Sequence, residues 1–175
     1  MNATKERKQT KPSIKSITIE HLYDESPDTS WLGRYTDKWE TGAIKRHNAG
    51  HNEYKYFVPG TTYQEHRDAL HKAGYSRGNC DELAREYNYQ DFKRMERLNN
   101  GDWCFLGIQA EAVIIVDSQL QRITSGGLWG IESDSDASYI SEVENEQLLD
   151  LKTQLKALGV PVHNFDKIEI ERKGL

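Results

Sequence analysis

Apolar and polar residues alternate along several short stretches of this chain, and each such stretch predicts a strand. From Ser16, the residues Ile17, Ile19, His21 and Tyr23 share one face. Trp31-Leu32-Gly33-Arg34-Tyr35 reads as a short strand, and Tyr54, Tyr56 and Val58 alternate up to a stop at Pro59-Gly60. Residues 37–52, polar and broken by Gly42 and Gly50, read as a long loop. The clearest run places Cys104, Leu106, Ile108, Ala110, Ala112, Ile114 and Val116 on one face, with Trp103, Phe105, Val113 and Ile115 on the other. Asp117-Ser118 turns the chain into Leu120–Thr124 as a hairpin. Ser125-Gly126-Gly127 interrupts it before Leu128–Ile131 resumes pairing, and a last strand carries Ile168 and Ile170.

Helical spacing predicts three further elements. Thr62 and Glu65 have capping-box spacing at the head of a helix running to Ala73, which Gly74 closes. A second helical region covers Asn79–Leu98, with Asn88 expected to break it. The third helix is the best defined. Ile140, Val143, Leu151, Leu155 and Leu158 form its apolar stripe, Ser135 or Ser138 is expected to cap it, and Gly159 ends it. The whole is an α+β fold: a mainly antiparallel sheet with two or three helices packed on it. Residues 1–13 read as a disordered basic tail closed by Pro12, and 14–175 as a single α+β domain.

Charge sharpens this picture. The net charge of -5 over 175 residues is mild, but it is unevenly placed. Residues 1–15 sum to +4 through Lys5, Arg7, Lys8, Lys11 and Lys15 against Glu6. Residues 132–151 hold seven acids and no Lys or Arg. No apolar run reaches the roughly 18 residues of a membrane span, and no apolar segment follows the basic start as a secretory signal requires. Cys80 and Cys104 lack partners at metal spacing and read as reduced thiols of a cytoplasmic protein.

The acidic stretch holds the candidate chemistry. Glu132, Asp134 and Asp136 alternate, so on an extended segment they would face one side and present oxygen ligands to Mg²⁺ or Ca²⁺. They lack the twelve-residue calcium-loop pattern, and serines and aspartates here serve equally as helix caps. On the third helix, at about 100° per residue from Glu142, Glu146 falls near 40° and Asp150 near 80°, a shared polar face. Leu149 falls near 340°, among the acids and away from the core, and Glu144 near 200°, inside the apolar stripe. Leu149 is therefore a candidate contact point, and Glu144 is expected to reach a buried cation or backbone donor. Carboxylates repeated along a helix also imitate a nucleic-acid backbone and suit a basic groove. His21, His47, His51, His66, His71 and His163 show no ligand spacing. No serine elbow, phosphate loop or dinucleotide fingerprint is present, no catalytic residue is named, and no cofactor is expected.

The segments Asn99-Asn100-Gly101-Asp102-Trp103-Cys104-Phe105-Leu106-Gly107-Ile108, Ala110-Glu111-Ala112 and Gly126–Asp136 with the acidic helix resemble a family of small proteins from phages and bacterial mobile elements. That resemblance spans residues 85–160 and implies a setting, the bacterial host cell, without an established activity. Small proteins of such elements often inhibit host defences, including anti-CRISPR and anti-restriction proteins. The leading expectation is a non-enzymatic inhibitor of a bacterial protein or nucleoprotein complex. Its contact set is Glu132, Asp134, Asp136, Glu142, Glu146, Leu149 and Asp150. Two alternatives are a nucleic-acid-binding regulator using the basic tail, and a metal-dependent phosphohydrolase or nuclease using Glu132, Asp134 and Asp136, with Glu144 beside them.

Overall fold

A computed structural model describes residues 11–174; residues 1–10 of the expected tail, with Lys5, Arg7 and Lys8, lie outside the described residues. The chain divides into two compact units. One is built from the chain up to Pro27 together with Cys104 onward, and the other is Asp28–Trp103. The architecture is α+β, as the alternation and helical spacing predict, with three helices and two sheets.

The first unit opens with β1 (Ser13–Tyr23), three residues ahead of the expected start. The second unit follows with β2 (Gly33–Thr36), β3 (Ile44–Lys45), β4 (Tyr56–Pro59), α1 (Tyr63–Lys72) and α2 (Arg77–Asn99). The chain then returns to the first unit with β5 (Phe105–Val116), β6 (Gln119–Thr124), β7 (Leu128–Glu132), α3 (Ala137–Ala157) and β8 (Ile170–Gly174).

β5 organises the first unit because its length lets it pair with three strands. β1 runs antiparallel along one edge, with Ile19 opposite Ala110 and Ile17 opposite Ala112. On the other edge the hairpin partner β6 covers the end of β5, and β7 covers its beginning. The hairpin turn places Asp117 at φ 48° and Ser118 at φ 67°, the left-handed pair of a type I′ turn whose twist matches that of the strands. β8 adds to β1 in parallel, with Ile170 opposite Ile17. One sheet face then presents Ile17, Ile19, Leu106, Ile108, Ala110, Ala112 and Ile114, all buried, to Val143, Leu151 and Leu155 of α3. Complete burial of each Ile, Leu or Val among them contributes roughly 1.5–3 kcal/mol. Leu158 departs from the expected stripe: it is the C-cap residue and is exposed, so the core side of α3 is completed by Leu148 instead.

The ends of α3 are set by local chemistry. Its N-cap is Asp136 rather than Ser135 or Ser138, and no side-chain oxygen there closes a capping bond. At the other end Gly159 takes φ +76°, and the Val160 N–H donates to the Leu155 carbonyl, the closure that a left-handed glycine permits.

In the second unit, β4 lies between β2 and β3 in an antiparallel sheet of three strands. The capping box of α1 is present as expected, with Thr62 accepting from the Glu65 N–H and Glu65 accepting from the Thr62 N–H. α2 differs from the expectation: it runs unbroken from Arg77 to Asn99. Asn88 does not turn its amide back on the helix, the competition that makes Asn a helix breaker. Its Nδ2 donates to the Thr61 carbonyl at 3.1 Å, so the side chain leaves the helical ladder intact.

Candidate functional site

The acidic helix α3 is tied to the glycine turn that precedes β7. Between β6 and β7 the backbone leaves the ladder at Ser125-Gly126-Gly127, and the freed N–H groups need acceptors. α3 supplies them. Asp150 Oδ2 accepts from the Gly126 N–H at 2.9 Å, and Gln147 Oε1 accepts from the Gly127 N–H at 3.0 Å. The buried Ser125 hydroxyl donates to Gln147 Oε1 at 2.9 Å and accepts from the Ala110 N–H at 2.9 Å. Gly127 and Gly130 sit at φ +77° and +78°, so a side chain at either position would be strained. Two of the three glycines thus take the left-handed backbone, and α3 supplies the acceptors for Gly126 and Gly127, while the Gly130 N–H donates to Asp24 Oδ2.

Gln147 was invisible as a site residue, although its helical angle, about 140° from Glu142, already placed a polar amide inside the apolar stripe. Replacing it by Ala leaves the Gly127 N–H and the buried Ser125 hydroxyl without an acceptor. We expect Gln147→Ala to cost about 1–3 kcal/mol in chemical unfolding. A change under about 0.5 kcal/mol would show that the turn holds without this staple.

Glu144 does reach a cation, as its place in the stripe suggested, but an exposed one, since the Arg172 side chain is 58% accessible. Glu144 itself is nearly buried, at 6% exposure. Its Oε2 accepts from Arg172 Nε of β8 at 2.8 Å, and its Oε1 lies 3.0 Å from His21 Nε2 of β1. The carboxylate thus ties the helix to two strands, and its pairing answers the cost of taking a charge out of water. A cavity of about 480 Å³ opens beside this cluster, lined by His21, Ser133, Ser135, Ile140, Glu144 and Arg172 among others.

The remaining predicted residues separate into two groups. Glu132 ends β7, Ser133 and Asp134 form a turn, and Asp136 precedes α3. The segment is bent by that turn, because the Ser135 N–H donates to the Glu132 carbonyl and the Ser133 N–H to the Cys104 carbonyl. Glu132, Asp134 and Asp136 therefore do not line one side of an extended strand. Among the described residues no group of three or more His, Cys, Asp or Glu side chains gathers closely enough to hold a metal ion.

Glu142, Glu146 and Leu149 come together on the outer face of α3. With Ser138, Ser141 and Asn145 they line a shallow depression of about 560 Å³. Leu149 is 66% exposed. Neither Glu142 nor Glu146 forms an ion pair among the described residues. A second depression continues past Asn145 and Leu149 toward Lys152, Phe165, Asp166 and Ile170. Asp150, expected on the same contact face, is half-buried and engaged with the Gly126 N–H and the Gln154 amide.

No known protein family, curated protein or solved structure matches this chain. Among the described residues no helix is long and apolar enough to cross a membrane.

Proposed function

We propose that this chain is a non-enzymatic binding protein that captures a basic surface of a bacterial protein or nucleoprotein complex. The target class we propose, from the mobile-element setting expected of the sequence, is a host-defence complex of the kind blocked by anti-CRISPR and anti-restriction proteins. The observation that carries this reading is the outer face of α3, where an exposed leucine sits among carboxylates that have no partner within the described fold. An apolar anchor ringed by one sign of charge favours docking against a surface of opposite charge, with the charges steering encounter and the leucine contributing desolvation. A groove built to hold nucleic acid supplies such a surface, and acids spaced along a helix compete with phosphates for its Lys and Arg side chains. Glu132, Asp134 and Asp136 extend the same negative field toward the head of α3.

The test is capture from bacterial lysate, with bound proteins identified by mass spectrometry and the affinity for the captured target then measured. The double variant Glu142→Lys/Glu146→Lys is expected to bind at least about tenfold more weakly, a change of about 1.4 kcal/mol, with its unfolding midpoint unmoved. Capture by the parent chain is expected to fall with added salt and to be displaced by duplex DNA. Target affinity that survives the double reversal unchanged would overturn the acidic-face mechanism.

A further inference from the structure

One flank of α3 runs along a free sheet edge. β8 ends the strand order of its sheet, so among the described residues no strand pairs with its outer side, and the strand is exposed beyond Ile170. Such an edge presents a row of backbone N–H and C=O groups able to pair with another chain. The position of α3 beside it follows from helical angle. Gln147 and Asp150, at about 140° and 80° from Glu142, meet the glycine turn on one side of the helix. Ser141, Lys152 and Asn145, at about 260°, 280° and 300°, form the opposite flank. That flank meets β8. Ile170 shares a pocket of about 340 Å³ with Asn145, Leu148, Leu149 and Phe165. Two residues on, Arg172 bonds Glu144 and lines the neighbouring cavity with Ser141. The helix and the strand therefore run in opposite directions beside one another.

A strand laid on that edge would send every second side chain into the slot, on the face that Ile170 and Arg172 share with the buried Ile17 and Ile19 of β1. Main-chain bonds would hold it, and the pockets along α3 would read its alternate side chains. The lining says which side chains fit. Leu148, Leu149, Phe165 and Ile170 suit an apolar one. Both cations along the slot are already engaged, Lys152 with Asp166 and Arg172 with Glu144. Glu142 and Glu146 share a depression with Ser141, Asn145 and Leu149, and neither forms an ion pair among the described residues. The uncompensated charge at the slot is therefore negative, and it selects Lys or Arg on the incoming strand.

Resting on the reading of α3 as a docking face, we propose that this slot takes an extended, basic segment of the target protein carrying an apolar residue, which adds to β8 as a further strand. The full chain is used to select from a phage-displayed library of random decapeptides, and a selected peptide is synthesised and titrated into it, followed by amide NMR. Selected peptides are expected to carry Lys or Arg around an apolar residue and to give saturable shifts in residues 145–152 and 170–174. N-methylation of each peptide nitrogen in turn should weaken binding at least about tenfold at alternate positions and little between them, because only every second N–H of a strand faces its neighbour. Leu149→Ala should weaken the peptide about fivefold or more. Leu149 is 66% exposed, so this variant keeps the fold. The proposal is overturned if no peptide binds saturably, if the bound peptide leaves the β8 signals unmoved, or if the N-methylation losses do not alternate. It also falls if the β8 signals move with protein concentration in the absence of peptide, which would pair the edge with a second copy of the chain. The two readings fail separately. A captured target that is sensitive to Glu142→Lys/Glu146→Lys but is not displaced by the selected peptide sinks the strand slot alone. A target indifferent to that double reversal removes the acidic face instead, whatever the peptide does.

Discussion

Gly60→Ala is expected to destabilise the second unit by about 3 kcal/mol or more. Gly60 follows β4 and donates its N–H to the Leu32 carbonyl at 3.0 Å. A Cβ there would fall on the carbonyl oxygens of Ser30 and Trp31. Those are backbone atoms, so no rotamer change can clear them. Either the Leu32 segment lifts away from β4 or the Pro59-Gly60-Thr61 backbone shifts. The first move uncovers Leu32 and Phe57, which are both fully buried. The second displaces the Thr61 carbonyl from Asn88 and the Thr62 cap from α1. Urea unfolding followed by tyrosine and tryptophan fluorescence measures the loss. A variant within about 0.5 kcal/mol of the parent would mean that the loop yields freely.

Much of this fold was legible in the residues because it is specified locally. Thr62 with Glu65, Gly74, Gly159 and the alternation from Cys104 to Val116 each act within a few positions of themselves. They placed α1, the end of α3 and β5. What escaped was set by partners far along the chain. His21 meets Glu144 across 123 positions, so the carboxylate's need for partners could be read from its helical angle but not which residues supply them. The parallel pairing of β8 with β1 has no local signature either. Asn88 shows the same limit from the other side. The local tendency of Asn to break helices was the available signal, and a carbonyl 27 positions earlier overrode it. In the candidate site, the outward turn of Glu142, Glu146 and Leu149 followed from periodicity alone. The diversion of Asp150 to the Gly126 N–H did not, because it depends on where β6 leaves the sheet.

Leu151→Ala and Leu149→Ala should give opposite results, although the two residues are neighbours on α3. Leu151 is 0% exposed and packs in the cluster formed with Ile17, Ile108, Ala110 and Ala112 of the sheet. Truncating it removes buried methyl groups and leaves a cavity between a helix and a sheet that cannot close over it, at a cost of about 2–5 kcal/mol. Leu149 points away from that core, so its truncation should change stability by less than about 0.5 kcal/mol. Binding should invert the order. Leu149→Ala is expected to weaken capture of the target through lost apolar contact, and Leu151→Ala should weaken it only as far as it unfolds the first unit. Thermal unfolding and target affinity measured on the same two variants decide the matter. If Leu149→Ala instead unfolds the protein, its side chain serves the core, and the outer face of α3 loses its apolar anchor. If it changes neither quantity, the carboxylates alone must carry the contact. The pair therefore separates the packing role of α3 from its proposed role as a docking surface, which charge reversal by itself does not do.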